Sequence, residues 1–188
     1  SACSYSNTGF HIAGRIVEIV SGLPFGRFLE ERILRPSGMN DSFFNDPQRV
    51  TQAHAFGYTR FSLGPLRRAE HERAGWMFAS GGLACTAEDL ARWICGYFDN
   101  RVLSREEVAR MTTSFVLNDG TPSNSGLGLF MERRGEFSVL MHGGGLAGFA
   151  TQIIFSLERR RAAVVFANGD HAVSGRIASL AFEELIPG

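Results

Sequence analysis

Residues 3–22 read CSYSNTGFHIAGRIVEIVSG, and the way this stretch is parsed decides how the rest of the chain is understood. Phe10, Ile12, Ala13, Ile16, Val17, Ile19 and Val20 recur at helical spacing and Gly22 follows as a stop, so the pattern predicts a helix over residues 8–21. Immediately before it stand Tyr5 and Asn7, two residues apart. One reading is local: Asn7 or Thr8 caps the helix and Tyr5 packs as a staple against its first turn. The other is chemical. A tyrosine hydroxyl can relay a proton, and an asparagine can both donate to and accept from a bound carbonyl. Taken alone, a Tyr-x-Asn triplet favours the local reading.

Further along, Pro24 suits a first helical turn, and Phe25, Phe28, Leu29, Ile33 and Leu34 keep helical spacing up to Pro36, where that helix is expected to end. Residues 37–77 carry Gly, Pro, Asn and Asp without sustained periodicity and read as long loops over a cleft. Thr86 with Asp89, and Ser104 with Glu107, each announce a capped helix. After Gly120 the character changes. Residues 126–132, 137–141, 150–157 and 162–167 are short apolar or alternating runs separated by turns, the pattern of an antiparallel meander, and residues 173–186 return to helical spacing. The expected class is α+β of the α/β sandwich type: a helical portion with cleft loops over residues 1–120, then an antiparallel sheet with a C-terminal helix over 121–188. One helix on such a sheet leaves a thin layer, and a strand without a neighbour exposes its backbone, so something is expected to cover that edge.

The 188 residues are 44% hydrophobic and 20% charged, enough to bury a core as one domain or two tightly joined subdomains. Nineteen basic and nineteen acidic residues balance to zero, which argues against a nucleic-acid partner, and Arg159-Arg160-Arg161 reads as a solvated hairpin turn. No apolar run is long enough for a membrane span. Cys3, Cys85 and Cys95 are odd in number and lack metal-ligand spacing, so buried thiols are expected, with no metal and no cofactor. All nineteen basic residues are arginine.

A second chemical candidate is His142-Gly143-Gly144-Gly145, at the end of the expected strand 137–141. Consecutive glycines let a ligand approach the backbone, so their amides can meet a developing oxyanion, and a histidine beside them can donate a hydrogen bond. The alternative is a glycine-rich hairpin. A phosphate loop is disfavoured, because no helix follows and there is no lysine. Ala79-Ser80-Gly81-Gly82-Leu83, leading into the Thr86 cap, is by itself a turn and a helix start.

Together, Tyr5-Ser6-Asn7-Thr8-Gly9, Leu34-Arg35-Pro36-Ser37-Gly38-Met39, Gly81-Gly82-Leu83 with the Thr86 helix, and His142-Gly143-Gly144-Gly145 to Gly148-Phe149 resemble the serine β-lactamase and penicillin-binding-protein-like superfamily. The nearest branch looks like class C β-lactamases, D-aminopeptidases, DD-peptidases and related esterases. In that family Ser-x-x-Lys, Tyr-x-Asn and Lys/His-x-Gly meet between a helical subdomain and a sheet. The resemblance implies catalytic roles for Tyr5, Asn7, His142 and the Gly145 amide, and substrate contacts from Gly143, Gly144 and Ser80.

Without lysine the chain has no Ser-x-x-Lys, so the resemblance implies an incomplete β-lactamase/transpeptidase-like fold, the first motif being expected upstream of Ser1. The implied parent is a serine hydrolase acting on a small ester, amide or β-lactam through an acyl-enzyme, with these residues inactive alone. Gly143 stands where many β-lactam-active members have threonine, which tilts the reading toward an esterase or peptidase. The alternative is a shortened, non-catalytic binding or assembly module. The open sheet edge would then pair with another copy of the chain, whereas in the implied parent the missing segment would be its partner.

Overall fold

The computed structural model describes residues 3–44, 55–70 and 75–186. Helix α1 (Asn7–Ser21) is started by Ser6, whose Oγ accepts the Gly9 N–H at 3.1 Å. The cap is therefore neither Asn7 nor Thr8. Tyr5 precedes the cap and its ring lies 5.8 Å from that of Phe10, the fourth helical residue, so the staple does form. α2 (Phe25–Leu29) leads through a π-helical turn, Glu30–Leu34, into α3 (Arg35–Ser37), so Pro36 does not end the run. In that wider turn the Arg35 N–H reaches back five residues to Glu30 O, which makes room for a residue lacking its own N–H. The stop comes at Gly38, in the left-handed region at φ 71°.

Of the stretch expected as cleft loops, residues 45–54 and 71–74 lie outside the described residues. The rest is irregular apart from two-residue strands β1 (Phe43–Phe44), β2 (Tyr58–Thr59) and β3 (Arg67–Arg68), and is followed by the short helix α4 (Phe78–Gly81). β1 pairs with β4 (Leu83–Ala84), and β2 with β3. α4 lies against α1 at Gly14, where a Cβ would come within 2.4 Å of Ala79 Cβ. Helices α5 (Ala87–Asp99) and α6 (Arg105–Met111) are capped as the sequence predicts. Thr86 Oγ1 accepts the Asp89 N–H at 3.1 Å, and Ser104 and Glu107 form a reciprocal capping box.

Strands β5 (Phe130–Arg134), β6 (Phe137–Leu146), β7 (Phe149–Ser156) and β8 (Arg161–Ala167) form one antiparallel sheet in chain order, followed by α7 (Ser174–Glu184). The fold is the α+β arrangement expected. Both faces of the sheet are covered. Ile153 and Phe155 of β7 pack with Ile94 of α5, Leu129 and Leu140, whereas Ile154 turns to Val139, Ala163, and Ala178 and Phe182 of α7. A helix from the first 120 residues thus completes the core of the sheet. Among the described residues no strand lies beyond β5 or β8. Arg160, at φ 49°, bonds Phe98 O (2.8 Å) and Asp99 (2.9 Å), placing a cation at the C-terminus of α5, where the helix dipole favours one. The cysteines are free, as expected, but Cys3 and Cys95 are exposed. Only Cys85 is partly enclosed, its thiol pushed up to about 11 by burial and then by the nearby Asp89 charge.

Candidate active site

The site is built where β6 outruns its neighbour. β5 pairs with β6 only as far as Phe130↔Met141, yet β6 continues through His142, Gly143, Gly144 and Gly145 to Leu146. The glycine block is therefore strand, paired to β7 as Gly143↔Gln152, Gly144↔Thr151 and Gly145↔Ala150. The hairpin reading is corrected: the turn falls after Leu146. Beyond Met141 the side of β6 that faced β5 is open among the described residues. His142 Nδ1–H donates to the Gly143 carbonyl at 2.7 Å, which leaves Nε2 as the ring nitrogen available to another group. Backbone groups two residues apart on a strand point the same way, so the Gly145 N–H is directed to the side on which the Gly143 backbone groups lie.

Tyr5, far away in sequence, meets this strand end. Its ring centroid is 5.9 Å from His142 and 6.4 Å from Phe130, and Phe130 stacks on His142 at 5.5 Å and 26°. The Tyr5 ring is thus held by three aromatic neighbours, while its hydroxyl makes no hydrogen bond among the described residues and the residue stays half exposed. Asn7 is exposed and likewise unbonded, because Ser6 has taken the capping role. Both polar groups are exposed.

Ser80, expected as a substrate contact, is hydrogen-bonded within the protein. Its hydroxyl donates to Met77 O at 2.8 Å and meets His11 Nε2 at 2.8 Å, so its contacts join it to α1 rather than to Tyr5 or His142. His11, also 3.1 Å from Met77 O, escaped notice in the sequence. Its signal was its position four residues after Asn7, on the same helix face. Phe130 was also missed, since only the β5–β6 register brings it beside His142. The turn after Leu146 is fixed from outside. Hydrogen bonding from Thr59 and then from the Gly148 N–H (3.2 Å) holds the Asp170 carboxyl below its usual range.

The three glycines differ in what they exclude. A Cβ on Gly144 would lie 2.4 Å from Thr151 Oγ1, whereas a Cβ on Gly145 meets nothing within 4 Å. Gly144→Ala is accordingly expected to cost about 1–3 kcal/mol in urea denaturation and Gly145→Ala to leave stability unchanged. Equal stabilities for the two variants would show that Thr151 simply rotates away.

Comparison with known proteins identifies the family to which the chain belongs. The beta-lactamase family model matches residues 1–184, and the chain belongs to that family, within the serine β-lactamase and penicillin-binding-protein-like superfamily. It is 26% identical to a D-aminopeptidase of Gluconobacter oxydans over 94% of this chain and 33% of that protein. Among solved structures it resembles the octameric penicillin-binding protein homologue of Pyrococcus abyssi, with a TM-score of 0.85 and 26% identity over 98% of this chain and 43% of the other. A D-stereospecific amidohydrolase from Streptomyces shares the fold with a TM-score of 0.80 and 23% identity, over 97% of this chain and 55% of that one. The chain therefore spans between a third and somewhat over half of these relatives.

Proposed function

We propose that this chain supplies the second and third motifs of a serine hydrolase that cleaves an ester, amide or β-lactam through an acyl-enzyme. The observation that carries the reading is the Tyr5 ring against His142, at the point where β6 opens its backbone edge. The nucleophile is the serine of a Ser-x-x-Lys segment outside these 188 residues, since they contain no lysine. That serine oxygen attacks the substrate carbonyl while its proton is relayed through the Tyr5 hydroxyl to the lysine of the same segment, from which it later returns through Tyr5 to the leaving group. The Gly145 N–H donates to the resulting oxyanion, and Asn7 orients the substrate. Tyr5 hands a proton to the departing amine or alcohol as the tetrahedral species collapses, and water then hydrolyses the ester formed on serine. His142 stands beside the developing negative charge and assists electrostatically. Gly143 and Gly144 let the substrate lie close to the strand. The D-aminopeptidase relative favours an amide of a D-amino acid as the first substrate to test.

The test compares the 188-residue chain with the same chain joined, ahead of Ser1, to the Ser-x-x-Lys portion of the D-aminopeptidase. The joined protein is expected to turn over D-amino acid amides or activated esters and to show an acyl adduct by mass spectrometry. The chain alone is expected to show neither. Turnover by the chain alone that survives repurification overturns the reading. A folded but inactive joined protein favours the assembly-module alternative.

A further inference from the structure

The sheet end that bears Gly145 also anchors a feature the proposed reaction does not use. Residues 55–70 contain the β2–β3 hairpin, and its base is tied firmly to the protein. The Tyr58 N–H lies 3.0 Å from Asn168 O and 3.2 Å from Gly148 O, the Asp170 N–H donates to Tyr58 O at 3.2 Å, and Asn168 Nδ2 donates to Phe56 O at 3.1 Å. Gly148, at φ 82°, touches Gly57 so closely that a Cβ on it would lie 2.7 Å from Gly57 Cα. Such an approach needs glycine on steric and conformational grounds alike.

Beyond this base most residues of the hairpin are exposed. Its tip is a turn closed by the Gly64 N–H donating to Phe61 O at 3.0 Å. There Phe61 is 94% exposed, Leu63 92% and Leu66 54%. Single exposed apolar residues are ordinary, but three within six positions around one exposed turn form an apolar cluster left uncovered by the described residues. Arg60 precedes the cluster, and Arg67 and Arg68 follow it. All three arginines are exposed and none forms an ion pair among the described residues, while Arg68 lies over the Phe56 ring at 3.5 Å. A chain of zero formal charge thus gathers three positive charges around an apolar tip.

We propose that this hairpin docks on the surface of an anionic lipid bilayer, with Phe61, Leu63 and Leu66 entering the headgroup boundary and Arg60, Arg67 and Arg68 meeting lipid phosphates. An apolar tip followed by a basic collar on one hairpin matches the order of acyl chain and phosphate at a bilayer surface. A second copy of the chain is a poorer occupant, because joining two tips would bring like charges together. No helix among the described residues is long and apolar enough to cross a membrane.

The test uses the 188-residue chain and needs no catalytic activity, so its outcome is separate from that of the proposed hydrolase. Co-sedimentation is measured with vesicles of phosphatidylcholine alone and of phosphatidylcholine mixed with phosphatidylserine. Binding is expected to the mixed vesicles, with release at roughly 1 M salt, where the screening length falls to about 3 Å. Phe61→Ser with Leu63→Ser should lower partitioning by about tenfold or more. Arg60→Gln with Arg67→Gln should lower it on mixed vesicles while leaving the weak binding to neutral ones unchanged. Circular dichroism confirms that these exposed substitutions leave the fold intact. Failure of the unsubstituted chain to bind, or binding by both double variants at its level, overturns the proposal. Self-association abolished by the apolar substitutions, without lipid binding, also overturns it and assigns the tip to contacts between copies.

Discussion

Tyr5→Phe, in the chain joined to a Ser-x-x-Lys segment, is expected to lower kcat/KM by roughly 10²–10⁴, the range general acid–base groups contribute. Stability should not change. Phenylalanine keeps the ring that staples α1 through Phe10 and packs against Phe130 and His142, so packing at the start of the helix survives. Only the hydroxyl is lost. That group has no hydrogen-bond partner among the described residues, so its removal orphans no buried donor or acceptor. The loss should fall on kcat, because the proton it moves is transferred during the reaction rather than on binding. Tyr5→Ala is a less clean probe, since it also removes the staple. An unchanged kcat/KM in Tyr5→Phe, with the acyl adduct still forming, would sink the proton-relay role while leaving the hydrolase assignment standing.

The parts of this fold that could be read from the chain are those written in local chemistry. The apolar spacing of α1, the Thr86 and Ser104 caps and the order of the four strands all depend on residues within a few positions of one another, and all appear as expected. Where local rules offered equals, tertiary context chose. Ser6, Asn7 and Thr8 are all competent caps, and Ser6 is selected because it is the last residue with extended backbone before α1. Pro36 signals a stop only for an ordinary α-helix, and the π-helical turn before it removes the conflict.

The glycine run after His142 carries no apolar pattern. Its strand conformation is set by pairing with β7, which periodicity cannot report. The same holds for the site. Tyr5 and His142 were singled out by motif and by family resemblance, but the stacking of Phe130 on His142 and the bonds between His11 and Ser80 come from long-range register and helix packing. The surroundings of Ser80 could not be read from sequence for that reason. In sequence it lies beside a glycine turn, and in space its hydroxyl is already engaged by α1 and its own helix.

The largest loss of stability from one side chain is expected at Asp89, which sequence alone marked as nothing more than an acidic first-turn residue. Its side chain is wholly buried: one carboxylate oxygen accepts the Asp41 N–H and the Ser42 hydroxyl, each at 2.8 Å, and the other accepts Arg92 at 2.6 Å. The negative charge also sits at the N-terminus of α5, where the helix dipole favours it. Asp89→Ala strands the Asp41 amide and the buried Ser42 hydroxyl together, and is expected to cost about 3–5 kcal/mol, a large share of the roughly 5–15 kcal/mol that holds a domain folded. Asp89→Asn keeps the shape but turns an NH₂ toward donors that need an acceptor, so a loss of about 1–3 kcal/mol is expected. Arg92→Ala should cost under about 1 kcal/mol, because that guanidinium is 42% exposed and its other partner, Glu88, is a surface residue. Urea denaturation followed by fluorescence of Trp93, on the same helix and packed against the core, ranks the three. If Arg92→Ala proved as damaging as Asp89→Ala, the ion pair and not the buried hydrogen bonds to residues 41 and 42 would be what fastens α5 beneath the sheet.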